Sequence, residues 1–230
     1  MPSRGPRRTT DVDAVVEASI ALADTDGLAA LTMRRVAERV GIPAMSVYTY
    51  VPGKAELLDL MLDAAHARMD RTGTEGRPWR DRLTAVAQEN RTLFADHPWA
   101  AAVSTLRPPL GPGQIGKYEH ELAALDGCGL DDVETDACLT HLLSFVRASA
   151  RDAIDAATAQ RGSAMDDAQW WERAGPLLAG VLKPDAYPRA TRIGSAAGAA
   201  HGSAHDPDHA YRFGLERLLD GLAQLIDTRR

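Results

Sequence analysis

The sequence predicts an all-α fold, and three observations carry that expectation. Apolar side chains recur at three- and four-residue intervals along most of the chain, as in Leu57, Leu58, Met61, Leu62, Ala65 and Met69, which places them on one face of a helix. No stretch shows the two-residue alternation of a half-buried strand. Residues that start or stop helices, such as Thr32, Gly41 and Pro52-Gly53, stand at the ends of these repeats.

Composition sets outer bounds. The 230 residues are 45% hydrophobic and 25% charged, enough for a sizeable core in an ordinary globular protein. No apolar run of about 18 residues marks a membrane span. The N-terminal MPSRGPRRTT is basic but lacks the apolar segment of a secretory signal, so a cytoplasmic location is expected. Cys128 and Cys138 lack metal-ligand spacing and are expected to stay reduced. Net charge is −6, but its distribution is uneven. Residues 1–54 hold seven basic groups (Arg4, Arg7, Arg8, Arg34, Arg35, Arg39, Lys54) against six acids (Asp11, Asp13, Glu17, Asp24, Asp26, Glu38), while the remainder carries −7. A cationic face at the N-terminal end is compatible with nucleic acid despite the acidic total.

Residues 1–9 read as a disordered basic arm. Arg4, Arg7 and Arg8 suit a phosphate backbone or a minor groove, or form only a solubilising tail. Thr10 with Asp13 resembles a capping box, opening a helix to about Asp24 with Val12, Val15, Val16, Ser19, Ile20 and Leu22 on its inner face and Gly27 beyond its end.

Residues 32–54, TMRRVAERVGIPAMSVYTYVPGK, form two short helices around a tight turn. Thr32 caps the first, since its hydroxyl accepts from a free backbone N–H. Val36, Ala37 and Val40 give its buried stripe, and Gly41 takes the left-handed stop that a side chain would penalise. Ile42 is the apolar residue of the turn. Pro43 opens the second helix, where a missing N–H costs nothing. Val47 and Val51 face inward, while Ala44, Met45, Ser46, Tyr48, Thr49 and Tyr50 point outward. This is a helix-turn-helix unit, and its outward side chains suit thymine methyls, base edges and phosphate oxygens. Two amphipathic helices in an ordinary helical protein are the plainer alternative. The ordered motif resembles the TetR/AcrR family of bacterial transcriptional regulators: an apolar-Thr start, Arg-Arg-Val-Ala-Glu, Gly-Ile, Val-Tyr-x-Tyr-Val, a Lys three on, then Leu-Leu. The resemblance implies a DNA-binding domain over residues 10–53 and a double-stranded operator as partner. It places Thr32, Arg34, Arg35, Pro43, Ala44, Met45, Ser46, Tyr48, Thr49, Tyr50 and Lys54 on the DNA.

The remainder, residues 54–230, reads as a larger helical domain. The helix over 54–70 carries the stripe described above, its N-terminus with Lys54 suits a phosphate, and His66 lies off the stripe and is expected to be solvated. RTGTEGRP, residues 71–78, is a polar linker. Trp79, Leu83, Val86, Ala87, Asn90, Leu93 and Phe94 mark a helix that stops at His97-Pro98, and Trp99 to Leu106 is short and apolar. LRPPLGPG, residues 106–113, is excluded from regular helix by its prolines. Ile115, Tyr118, Leu122 and Leu125 place another helix before the GCG at 127–129. Asp131 with Glu134 caps a long helix to about Gln160, expected to be central because Leu139, Leu142, Leu143, Phe145, Val146 and Ile154 surround much of it. A helix over 163–183 contains Trp170 and Trp171 and is expected to kink at Gly175-Pro176. The Ala/Gly/Ser-rich stretch 189–206 is expected to be a mobile loop. The last helix, about 207–228, carries a coiled-coil-like seam of Tyr211, Leu215, Leu218, Leu222 and Leu225.

This order of motifs also resembles the tetracycline-repressor type of C-terminal domain. That implies a ligand-gated homodimer whose interface is built from the long helix and the last helix, the seam lying in the interface, with a small-molecule effector that changes operator affinity. Tetracycline repressors hold magnesium through a histidine four residues before an Arg-Pro pair. Arg107-Pro108 is present here but that position is Val103, so a metal-free effector and no cofactor are expected. Its pocket is expected to draw on Phe94, Trp99, Leu106, Tyr118, Leu142, Phe145 and Trp170, with His141 and Arg147 as polar anchors, although ordinary core packing explains each singly. His201, His205 and His209 are spaced by four, a candidate metal site on one helix face, but Gly202 and Pro207 interrupt them; a metal-binding helical enzyme is the lesser alternative, beside an architectural DNA binder without an effector. No hydrolase, zincin or phosphate-loop motif points to an enzyme.

Overall fold

A computed structural model describes residues 11–104, 107–163, 165–202 and 206–229. Among these residues there are α-helices and one 3-10 turn and no strand, so the all-α expectation holds. The chain divides into two compact units, Met1–Arg147 with Leu225–Arg230, and Ala148–Gln224.

In the first unit, α1 (Val12–Asp26) is capped by Asp11, whose Oδ1 accepts from the Ala14 N–H at 2.8 Å; the proposed Thr10 cap lies outside the described residues. The helix buries Val15, Val16, Ile20, Leu22 and Ala23, and Gly27 ends it at φ 79°. After a 3-10 turn (Leu28–Ala30) come α2 (Met33–Val40) and α3 (Ala44–Tyr50). Helix α4 (Lys54–Ala67) packs on both α1 and α7 (Pro112–Ala123). Between them lie α5 (Trp79–Asp96) and α6 (Pro98–Ala102).

Helix α7 starts earlier than its sequence suggests. Pro112 and Gly113 form its first turn, because a proline at the first helical positions gives up no needed hydrogen bond. Glycine is required there by proximity: a Cβ on Gly113 would lie 2.0 Å from the Asp63 carbonyl oxygen of α4. Asp63 Oδ1 accepts from the Gln114 N–H at 2.7 Å, completing the junction.

Helix α8 (Asp132–Ser163) opens on the expected capping box, with Glu134 N–H to Asp131 Oδ1 at 2.8 Å and Asp131 N–H to Glu134 Oε2 at 3.2 Å. It is central only in part. Cys138, Leu139, Leu142 and Val146 are buried, and beyond Arg147 none of its described residues is.

The second unit adds α9 (Asp167–Val181), α10 (Pro188–His201) and most of α11 (Pro207–Arg229). The expected loop at 189–206 is helical through His201, which alanine's high helix propensity and Pro188 at the first position explain. Helix α10 buries none of its residues. The α11 stripe packs partly inside the chain. Tyr211, Leu215 and Leu222 are buried within their own chain, together with Leu219 and Ile226, whereas Leu218 and Leu225 are half-buried. Four- and three-residue spacing identifies an apolar stripe without saying whether it meets its own chain or another.

Candidate functional site

The α2–α3 pair presents one outward face. Thr32 Oγ1 accepts from the Arg35 N–H at 3.3 Å, and Gly41 closes α2 in the left-handed conformation at φ 81°. Val36, Ala37, Val47 and Val51 are buried, which forces the opposite sides of both helices outward. Ala44, Met45, Tyr48 and Thr49 of α3 are exposed, Met45 at 77% and Tyr48 at 47%; Ser46 and Tyr50 are half-buried. Pro43 and Arg34 are exposed, and Arg34 pairs with Glu38 at 3.0 Å. Arg35 pairs with Asp26 at 2.5 Å, tying α2 to the last turn of α1. Lys54, at the start of α4, reaches the Leu28 carbonyl at 3.4 Å and stays exposed.

A cavity of about 470 Å³ lies in the first unit between α4, α5, α7 and the first half of α8. Leu62, Phe94, Ala100, Ile115, Tyr118, Leu139 and Leu143 supply apolar wall, and Pro108, Pro109 and Leu110 form part of the rim. Its polar side is richer than the sequence suggests. Lys117 and Glu121 form a buried ion pair, and Asn90 donates to Glu121 at 2.6 Å; Asn90 and Lys117 also line the cavity. Tyr118 donates to Asp136 at 2.7 Å, and Arg147 donates to the Val103 carbonyl at 3.3 Å.

His66 also lines this cavity and is only 5% exposed, which corrects the expectation of a solvated histidine. Burial first, and then the neighbouring Lys117 charge, push its pKa down to about 3, with Gln114 acting in the opposite direction. The ring is therefore neutral near pH 7. Its Nδ1 is buried and has no hydrogen-bond partner among the described residues. The signal for His66 was its position four residues after the buried Leu62.

Of the expected pocket residues, Phe94, Tyr118 and Arg147 line the cavity. Leu142 is fully buried in the core, Phe145 is half-buried, and His141 is exposed; none of the three lines the cavity. Trp99 is buried away from it, because its indole N–H donates to Asp24 Oδ1 at 2.7 Å. Trp170 belongs to the second unit, edge-on to Trp171, and Leu106 lies outside the described residues. His201 and His209 stand with ring centroids 4.6 Å apart, while His205 is outside the described residues. Among the described residues no group of three or more His, Cys, Asp or Glu side chains is arranged to hold a metal, and no helix is long and apolar enough to cross a membrane.

This architecture has known counterparts. Residues 15–61 match "Bacterial regulatory proteins, tetR family", and residues 72–226 match "Tetracyclin repressor-like, C-terminal domain". The chain is 40% identical over 230 residues to the HTH-type transcriptional repressor DrrR1 of Streptomyces coeruleorubidus, covering 100% of this chain and 83% of that protein. It is similar in fold to apo ActR of Streptomyces coelicolor, with a TM-score of 0.76 at 23% identity over 99% of this chain and 100% of ActR. With ActR in complex with actinorhodin the TM-score is 0.77 at 26% identity, over 95% and 99% of the two chains. The chain belongs to the TetR family of bacterial regulatory proteins and is a DNA-binding transcriptional regulator.

Proposed function

We propose that this regulator is a homodimeric repressor of the cytoplasm, released from a near-palindromic operator by a small molecule bound in the cavity beside His66. The observation that supports the effector reading is the cavity of about 470 Å³ itself, with apolar wall from Leu62, Phe94 and Leu139 and polar side chains from Asn90, Lys117 and Tyr118. A concave, mostly apolar cleft with a few convergent polar groups is the form that a small-molecule site takes. The effector has an aromatic or largely apolar body set against Phe94, Leu62 and Leu139, and one hydrogen-bonding group for the polar side of the cavity. The ActR–actinorhodin complex supports a small-molecule ligand for a regulator of this fold. Val103 in place of a histidine supports binding without metal. An architectural DNA binder without an effector is the other reading, and the cavity speaks against it.

On the DNA side, α3 enters the major groove with Ala44, Met45, Tyr48 and Thr49 foremost, while Arg34 and Lys54 flank it on phosphates. Two copies, related by a two-fold axis, read the two half-sites. The second unit supports pairing: Leu177, Val181, Ile193 and Phe213 are all more than half exposed in the single chain.

Thermal-shift screening of aromatic compounds, followed by fluorescence anisotropy on a duplex selected from a random library, tests the reading. A compound that raises the melting temperature and releases the duplex is expected. Binding that leaves duplex affinity unchanged would refute effector-controlled release, and loss of binding on chelation would refute the metal-free site.

A further inference from the structure

One carboxylate joins the DNA-binding helices to α6, one of the helices that touch the cavity. Asp24, near the end of α1, accepts from Trp99 Nε1 at 2.7 Å through Oδ1, and the same oxygen lies 2.9 Å from His97 Nδ1. Trp99 is 3% exposed, so its N–H has no recourse to water if the bond breaks. Both partners belong to α6 or to the residue preceding it, and α6 is only five residues long. Ala100, the next residue along α6, lines the cavity. On the other side, α1 packs against α2 and α3, and Asp26 holds Arg35 of α2 at 2.5 Å.

We infer that Asp24 is the positioning residue that couples the cavity to the DNA-binding face: displacement of α6 strains the Trp99–Asp24 and His97–Asp24 bonds and moves α1 with the α2–α3 pair it carries. The inference rests on the cavity being the effector site, but the coupling is a property of the chain and operates without ligand. By reciprocity, whatever the cavity does to DNA affinity, DNA does to the cavity. Duplex binding therefore changes the environment of Trp99.

The test uses full-length protein labelled with 5-fluorotryptophan. The chain has four tryptophans, and the fluorine resonance lost in Trp99→Phe identifies Trp99. The probe is a duplex selected from a random library by the wild-type protein. The Trp99 resonance is expected to move on duplex binding, and to move far less in Asp24→Leu, which removes both acceptor oxygens at similar size. A Trp99 resonance that ignores the duplex in the wild-type protein, or moves equally in Asp24→Leu, overturns the proposal. If Asp24→Leu does not fold by circular dichroism, His97→Ala, which removes one of the two bonds at a partly exposed site, is measured with the same two outcomes. A second arm perturbs the cavity without ligand. Ala100→Met pushes on α6 from the cavity side and is expected to weaken duplex binding about fivefold or more, the low end of typical couplings, and to do so less in the Asp24→Leu background. Equal weakening in the wild-type and Asp24→Leu backgrounds overturns the role of Asp24. Neither arm uses an effector, so a failed ligand screen refutes the effector reading alone.

Discussion

Lys117 and Glu121 stand one turn apart on α7 and form a buried ion pair, with the ammonium 2.6 Å and 2.7 Å from the two carboxylate oxygens. Asn90, itself held to the Val86 carbonyl at 3.0 Å, donates to the same carboxylate. Such a pair is costly to break one-sidedly, because the survivor is a buried, uncompensated charge. Lys117→Met is expected to lower stability by about 3–5 kcal/mol in urea titrations. Lys117→Met with Glu121→Leu is expected to recover much of that loss, since no charge remains buried. A double variant as unstable as the single one would contradict this account.

His66 makes stability depend on pH. The unfolded residue takes up its proton near 6.5, whereas the folded one resists protonation until about 3. Between those values the unfolded state binds more protons, so the native state keeps its full stability above pH 6.5 and loses it on acidification toward 3. Each unit is worth about 1.4 kcal/mol, so His66→Gln is expected to lose about 2 kcal/mol less than the wild-type protein between pH 6.5 and 5. Parallel urea midpoints against pH for the two proteins would show that the imidazole is not held neutral.

At the α4–α7 junction the backbones are too close for a side chain. Gly113→Ala places a Cβ 2.0 Å from the Asp63 carbonyl oxygen and 2.9 Å from the Ala67 nitrogen. Both neighbours are backbone, so α7 must shift as a body. A loss of more than about 3 kcal/mol is expected, above the usual range for overpacking. Gly221→Ala, where an added Cβ meets nothing within 4 Å, is the control and should be stable or slightly stabilised.

Why these features differ in legibility follows from their physics. The helix-turn-helix was readable because its determinants are local: Thr32 caps, Gly41 stops, and Val36, Val47 and Val51 fall at fixed spacing. The cavity was readable only in part. Phe94, Tyr118 and Arg147 were found, but His66 and Lys117 look like surface residues in a hydropathy pattern. They are inside because α4 and α7 press together at Gly113, a long-range fact. Trp99 lies away from the cavity for a related reason: its hydrogen-bond partner Asp24 is 75 residues distant in sequence. Residues 189–201 were misjudged because small residues suit loops and helices alike, and alanine tips the balance.

The second unit carries the dimer prediction. Leu177 is 75% and Phe213 55% exposed, so charges there leave the protomer fold intact. Leu177→Glu with Phe213→Glu is expected to convert a dimer to a monomer in light scattering while circular dichroism is unchanged. Leu222→Glu, at a position buried in its own chain, is expected to unfold the protein instead. A dimer mass that survives the first pair of changes would exclude this face.

Lys54 tests the DNA face through its charge. It is exposed at the first residue of α4, near the free N–H groups of that helix start, and among the described residues it makes a long 3.4 Å contact to the Leu28 carbonyl. A lysine so weakly engaged within the chain is available for a phosphate, and each neutralised phosphate adds about one unit to the salt dependence of binding. Lys54→Ala is expected to weaken specific and random duplexes alike and to reduce the slope of log affinity against log salt by about one. Arg35→Ala differs, because Arg35 already pairs with Asp26 at 2.5 Å. Its loss should alter how α2 sits on α1 and lower affinity with a smaller change in slope. Met45→Ala, which removes an uncharged side chain from α3, should leave the slope unchanged and alter discrimination between duplex sequences. If Lys54→Ala left both affinity and slope at the wild-type value in a salt titration, the start of α4 would not lie on the phosphate backbone, and the docking of α3 would have to be turned away from it.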